Sequence, residues 1–361
     1  MATATSIINS ELTVFAPGIH TGGGIALLKE VLASDYFRQR RTTLLLDARS
    51  LSHLEIPDIA SLYVIDPSLL GRFRAELKLK QLARDTRTVV CLHSLPPLFR
   101  LPSHTVCFLQ NILHLGQFPL RGYSARTRLR LSAERIFGKL LKTRVDTYIV
   151  QTRSMKLLLQ RWHRANPRVI VCPFAPSLNT DETGTNQAEA GIDFLYVADG
   201  EAHKNHRNLI EAWVLLAAQG IRPKLVLTLT SRDSLLSHHI DSINTKHKLN
   251  IQNRGTLSRE ELRSLYLSSK ALIFPSFAES LGLPLIEATQ LDLPIIAAEL
   301  DYVRDVCLPT ETFDPASPRS IARAVCRFLS IDDERQKLYS ADTFLGAALG
   351  QDGVEIDETT L

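Results

Sequence analysis

Between residues 192 and 298 the chain alternates short apolar runs with helical periods, a pattern that argues for a parallel sheet covered on both faces. Ile192 to Ala198 reads as a strand, Asn205 to Gln219 as a helix, Lys224 to Thr230 as a strand and Leu249 to Gln252 as a short strand. Ser258 opens a further helix through Leu267, with Glu261 three residues on as a capping box. Ala271 to Phe274 is then a strand, Pro284 to Gln290 a helix and Leu293 to Ala298 a strand. The first half repeats the plan more loosely, with strand-like runs at Leu12 to Ala16, Thr43 to Leu46, Thr88 to Leu92, Thr105 to Leu109, Thr147 to Val150 and Val169 to Cys172. The expected division is a domain over 1–176, a polar linker over 177–191, a second domain over 192–340 and a helix with an acidic tail over 341–361. Two such sheets facing each other would form a cleft at the carboxyl ends of their strands.

Composition narrows the class. With 361 residues, 45% of them hydrophobic, the chain is long enough for two ordinary domains. A net charge of +4 does not imply nucleic acid. No run of 18 apolar residues occurs, and the N-terminus lacks a basic region followed by an apolar one, so neither a spanning helix nor secretion is expected. Of the five cysteines, Cys91, Cys107 and Cys172 fall in strand-like runs and none forms a Cys-x-x-Cys pair. They read as structural thiols of a cytoplasmic protein.

The segment from Phe274 to Ala288 carries the chemistry. It places Glu279 and Glu287 on either side of Gly282 and Pro284, just after a strand. Proline is favoured at a helix start, and glycine lets backbone approach a ligand. A helix opening here would aim unpaired N–H groups at an anion such as a diphosphate, with Glu287 in its first turn. Glu279, on the loop across the same mouth, would accept hydrogen bonds from sugar or ribose hydroxyls. The segment resembles the paired-glutamate signature (Glu, seven residues, Glu) of retaining glycosyltransferases of family 4, on the Pro-Ser, Glu-Ser-Leu-Gly-Leu-Pro and Glu-Ala runs around the two acids. That resemblance implies the GT-B fold: α/β, with two Rossmann-like parallel-sheet domains facing a central cleft. It also implies that Ser280, Leu281, Gly282, Leu283 and Glu287 contact a nucleotide-sugar donor and that Glu279 acts at the donor sugar.

Three other stretches fit the same picture. Gly22, Gly23 and Gly24 follow the first strand and precede a helix, matching the glycine-rich loop that such enzymes set across the cleft from the diphosphate. After the strand at Ile192 comes His203-Lys204-Asn205-His206-Arg207. A lysine at a helix start is electrostatically unfavourable unless an anion is bound. Lys204 stands where the resembling family binds the diphosphate. Many members carry an arginine five residues earlier; here that position is Asp199, with Arg207 or His203 as candidate substitutes. A metal held by His203 and His206 finds no further ligand nearby. His93, just past the strand at Thr88, occupies an end where related enzymes place a histidine near the transferring centre, and Gln110 with Asn111 offers amides to sugar hydroxyls.

The implied activity is metal-independent, cofactor-free and retaining transfer of a hexose from a UDP- or GDP-sugar to a saccharide or lipid-linked saccharide, in surface polysaccharide or lipopolysaccharide synthesis. Glu279, Lys204 and His93 are its candidate catalytic residues. The alternatives are a non-catalytic nucleotide-sugar-binding partner, favoured by Asp199, and a nucleotide-sugar epimerase. Residues 121–144 hold eight Lys/Arg and one acid, with Leu129, Ala133, Ile136, Phe137, Leu140 and Leu141 on one helical face. This reads either as a helix docking on the anionic inner face of the plasma membrane or as one packing its apolar stripe on the sheet.

Overall fold

The computed structural model describes residues 10–58, 60–176, 178, 191–331 and 340–349. The expected linker, apart from Leu178 and Gly191, and the acidic tail from Gly350 lie outside the described residues. The first sheet contains β1 (Ser10–Ala16), β2 (Thr42–Asp47), β3 (Ser61–Ile65), β4 (Thr86–Cys91), β5 (His104–Phe108), β6 (Thr147–Val150) and β7 (Arg168–Val171). Its spatial order is β3-β2-β1-β4-β5-β6-β7. Helices α1 (Gly22–Ala33), α2 (Asp35–Arg38), α3 (Leu69–Leu82), α4 (Ala125–Leu141) and α5 (Arg153–His163) connect these strands.

The second sheet contains β8 (Ile192–Tyr196), β9 (Leu225–Leu227), β10 (Ile251–Asn253), β11 (Ser269–Phe274), β12 (Ile295–Ala298) and β13 (Glu311–Phe313), ordered β10-β9-β8-β11-β12-β13. Helices α6 (His206–Ala218), α7 (Ser234–His247), α8 (Arg259–Leu267), α9 (Leu283–Gln290), α10 (Asp301–Arg304) and α11 (Pro318–Phe328) accompany it, and α12 (Ala341–Ala348) follows. Every strand pairing is parallel. Each sheet reverses its strand order at one point, between β1 and β4 in the first and between β8 and β11 in the second. Ligands of open α/β sheets bind at such points, outside the carboxyl ends of the strands.

Burial explains why these runs are strands. All residues of β2, β9 and β12 are buried, as expected where helices cover both faces of a parallel sheet. One continuous cluster, with Phe194, Trp213, Phe274 and Ile296 at its heart, fills the second lobe. The first lobe's core is divided among three clusters, around Leu28, Leu44 and Phe108, around Phe15, Leu45 and Leu79, and around Leu109, Tyr148 and Met155. Ser258 and Glu261 form the expected capping box of α8.

The structure corrects two sequence expectations and adds two elements that the sequence analysis did not find. Cys172 lies just beyond β7 and is exposed, whereas Cys91 and Cys107 are buried; all five cysteines are free thiols. The edge strand β3 and helix α3 carry no legible period because apolar residues face both ways: Ala75 and Leu79 are buried while Leu70, Phe73 and Leu77 are exposed. Of the two readings left open for the apolar stripe of α4, packing on the sheet is not what the structure has: the stripe points outward, with Leu129 75%, Ile136 59%, Phe137 53% and Leu140 69% exposed. Helix α4 is seated instead by Leu131 and Gly138, and by Arg135, which donates to the carbonyls of Leu113 (2.7 Å) and Phe118 (2.8 Å). Among the described residues no helix is long and apolar enough to cross a membrane.

Candidate functional site

The loops that leave β8 and β11 meet at the reversal point of the second sheet, and Lys204 and Glu279 are their contact. Lys204 closes a single 3-10 turn, Ala202–Lys204, ahead of α6. Asn205 follows with φ +61°, a left-handed conformation that asparagine tolerates better than most residues. Its side-chain amide donates to the carbonyls of Pro275 (3.0 Å) and Pro315 (2.7 Å). The Tyr196 hydroxyl donates to the Lys204 carbonyl at 2.6 Å and lies 3.2 Å from Ser276 Oγ. Phe277 N–H donates to the His203 carbonyl at 2.8 Å. These bonds stitch the turn to the 275–282 loop, and Lys204 Nζ then meets Glu279 Oε1 at 2.7 Å.

Both side chains of that pair are largely buried, at 18% and 11% exposure. Burial alone would depress the lysine's pKa, but Glu279, with Asp199 and Glu201 nearby, holds the ammonium above its usual value. The flanking histidines behave oppositely. Burial, then the Lys204 charge, pulls His203 and His206 each down to about 3, so both rings are neutral. His203 is therefore no cationic substitute for the arginine replaced by Asp199. Arg207 is exposed on the first turn of α6. Among the described residues no three His, Cys, Asp or Glu side chains converge as a metal site.

Two helix N-termini, one from each lobe, come close together. Helix α1 begins with Gly22, Gly23 and Gly24, its N-cap Thr21 makes no side-chain cap bond, and its first turn holds no acid. Helix α9 begins at Leu283 behind Gly282 (φ +77°), again without a side-chain cap. A Cβ on Gly23 would come within 3.2 Å of Leu283 Cδ1, so the glycine allows this close approach. Uncapped first-turn amides and the helix dipole favour a bound anion. Pro284 stands at the second helical position and Glu287 at the fifth, one residue deeper than expected and so just past the first turn. Glu287 accepts from the Tyr266 hydroxyl at 2.6 Å; burial pushes its pKa up, with Tyr266 opposing. Tyr266 is a site residue that the sequence analysis missed, because nothing at a separation of 21 residues marks the pair.

Ser280 and Leu281 lie between the two acids. The Ser280 carbonyl accepts from Thr152 Oγ1 of the first lobe at 3.2 Å, and Leu281 is buried. Ala278 packs into the first lobe's apolar cluster with Leu109, Leu113 and Met155. His93 stands at the end of β4, at the reversal point of the first sheet, with its ring edge-to-face on Phe15 (5.1 Å). Burial lowers its pKa to about 3, and its buried Nδ1 has no hydrogen-bond partner among the described residues. Gln110 Nε2 donates to the Leu92 carbonyl (2.6 Å) and Asn111 Oδ1 accepts from Leu113 N–H (3.0 Å), so each amide gives one of its polar groups to its own lobe.

Comparison with known proteins bears on the family and the fold. Residues 180–342 match the family of glycosyl transferases group 1. The chain is 32% identical over 152 residues to the serotype-specific mannosyltransferase WbdA of Escherichia coli, a match covering 40% of this chain and 18% of that relative. It thus spans less than a fifth of that relative's length. The Anabaena protein Alr3699/HepE, solved in complex with UDP-glucose, superposes with a TM-score of 0.66 at 17% identity, over 88% of this chain and 89% of that one. WaaG, a glycosyltransferase involved in lipopolysaccharide biosynthesis, superposes with a TM-score of 0.60 at 14% identity, over 88% and 90%. Residues 180–342 are therefore a glycosyl transferases group 1 domain, carried in a chain with the two-sheet GT-B fold.

Proposed function

We propose that the chain transfers a hexose from a UDP- or GDP-sugar to a saccharide or lipid-linked saccharide, with retention of configuration and without a metal or other cofactor. The observation that carries this is the Lys204–Glu279 pair at the reversal point of the second sheet, with Glu279 on the loop that runs into α9, whose Leu283 lies against Gly23 at the uncapped start of α1. Bound diphosphate would take Lys204 as its counter-charge and the Gly22–Gly24 amides as donors. Glu279, released from the lysine, would orient the donor sugar, and Glu287 would accept from a ribose hydroxyl. In the reaction the bond from the anomeric carbon to the diphosphate oxygen breaks, leaving its electron pair on the diphosphate. The acceptor oxygen bonds to the same face of that carbon, and its proton passes to the departing phosphate oxygen. Fixed donors that strengthen as this charge develops lower the barrier. His93, neutral at the opposite strand end, would border the transferring centre as an uncharged hydrogen-bonding group.

The relatives' roles, mannosyl transfer and lipopolysaccharide synthesis, support an envelope saccharide as product. Asp199 leaves Lys204 as the central cation, but retention of both Glu279 and Glu287 favours turnover over a binding-only role. The test is release of UDP or GDP from a panel of nucleotide hexoses, with and without saccharide acceptors, and assignment of the product anomer by NMR. Donor binding without turnover across the panel would favour the binding-only reading, isomerised donor the epimerase, and an inverted product would refute retention.

Helix α4 is the part of this reading that concerns the membrane. Its exposed Leu129, Ile136, Phe137 and Leu140 are interleaved with exposed Arg126, Arg128, Arg130 and Lys139. An apolar stripe with basic flanks fits an anionic lipid surface, which would bring a lipid-linked acceptor to the cleft. Co-flotation with vesicles containing phosphatidylglycerol but not with phosphatidylcholine alone is the expected result; no flotation with either removes this part of the proposal.

A further inference from the structure

The Lys204 turn is held from the opposite lobe as well as from its own. Tyr123 is the residue before Ser124, the N-cap of α4, and its hydroxyl lies 2.6 Å from His203 Nδ1. The two rings are nearly parallel, 6.4 Å apart with 19° between their planes. Glu201 Oε2 stands 4.0 Å from the same nitrogen. Beside them Gly122 (φ +88°) fits against Ala202, where an added Cβ would come within 3.1 Å of the alanine methyl. On its other side His203 is bonded through its carbonyl to Phe277 N–H, two residues before Glu279. A single rung thus runs from the first lobe through the residue next to Lys204 to the loop that carries Glu279.

Other contacts also bridge the lobes. Thr152 Oγ1 donates to the Ser280 carbonyl, Ser154 N–H donates to Asp305 Oδ2 at 2.8 Å, and Arg259 lies 3.9 Å from Glu30. None of these three touches the Ala202–Lys204 turn. The Tyr123–His203 bond does, and it is largely buried, so little water competes for it.

We infer that Tyr123 is a positioning residue: its bond to His203 holds the two lobes together at the donor turn and so fixes Lys204 where a diphosphate is gripped. This inference rests on the donor site proposed above and adds a residue from the other lobe to it. Losing the rung lowers the population of the closed arrangement, and the apparent donor affinity falls by the same factor, while saturating donor restores closure.

The test is Tyr123→Phe, which keeps the ring and removes the hydroxyl. The expected result is a donor KM, or a nucleoside diphosphate Kd, raised about fivefold to tenfold, with kcat within about twofold of wild type. His203→Ala should give a similar rise, and combining it with Tyr123→Phe should add nothing further. Spin labels on exposed positions of α3 and α7 report the interlobe distance without turnover, and Tyr123→Phe should broaden its distribution. A kcat loss at unchanged KM, additive effects of the two substitutions, or an unchanged distance distribution would overturn the inference. The label experiment remains decisive if no nucleotide binds, and failure of wild-type protein to bind any donor would count against the proposed function alone.

Discussion

Replacing Lys204 with methionine separates what the pair does for the fold from what it does for a ligand. In the free protein Glu279 would lose its 2.7 Å partner while staying largely buried. Breaking a fully buried pair on one side costs about 3–5 kcal/mol, and the residual exposure here reduces that to roughly 2 kcal/mol. For a lobe of this size such a loss lowers Tm by about 4–8 °C. The double substitution Lys204→Met with Glu279→Gln removes both charges and should recover most of that stability. Activity should behave differently. Loss of a preorganised charge at the leaving group costs on the order of 3 kcal/mol, about two orders of magnitude in kcat/KM. The double variant should recover none of this, because neither substitution restores a cation to the diphosphate. Thermal melts and steady-state kinetics on wild type, both single variants and the double variant form the complete cycle. Wild-type kcat/KM in Lys204→Met, or activity returning with stability in the double variant, would refute the reasoning.

Three further outcomes follow from the geometry. Asp47 is buried and accepts from Arg49 Nε (2.8 Å), Arg49 Nη2 (2.8 Å), Arg49 N–H (3.0 Å) and Gly18 N–H (3.0 Å). Burial would raise its pKa, but Arg49 and the two amides bring it down to about 2. Its contribution, on the order of 2 kcal/mol, is present above the unfolded value near 4 and is lost as pH falls towards about 2; the urea-midpoint gap between wild type and Asp47→Asn should close over that window. Tyr266→Phe removes the donor that opposes the upward shift of Glu287, so the acid limb of donor binding should move to higher pH, read from donor KM against pH. Replacing Leu129, Ile136, Phe137 and Leu140 together with serine should leave Tm nearly unchanged, since all four are exposed, yet abolish flotation with anionic vesicles.

The second lobe was largely legible because its strands are buried on both faces and its helices carry local signals. Ser258 and Glu261 marked the start of α8, and the apolar run ending at Phe274 marked the strand that delivers the 275–282 loop. Lys204 was visible as a cation at a helix start, and Glu279 as one of two acids flanking the Gly282–Pro284 turn. Their direct bond was not, since 75 residues separate them and the contact depends on Asn205 and Tyr196 tying the turn down. The charge on His203 was misjudged for a related reason: sequence shows a basic neighbour of Lys204, whereas burial beside that lysine leaves the ring neutral. In the first lobe α3 and β3 escaped notice because their apolar residues face both inward and outward, so no period stands out. The apolar stripe of α4 was read correctly as a stripe, but periodicity alone carries no information on which way it faces.

The central claim is that a donor diphosphate displaces Glu279 from Lys204, and a crystal structure with UDP- or GDP-sugar bound tests it most directly. The diphosphate should lie between Lys204 Nζ and the amides of Gly22–Gly24, with the lysine and Glu279 drawn beyond hydrogen-bonding range and the acid turned to the sugar. A nucleotide bound elsewhere, or a bound diphosphate beside a Lys204–Glu279 pair still closed at 2.7 Å, would contradict it.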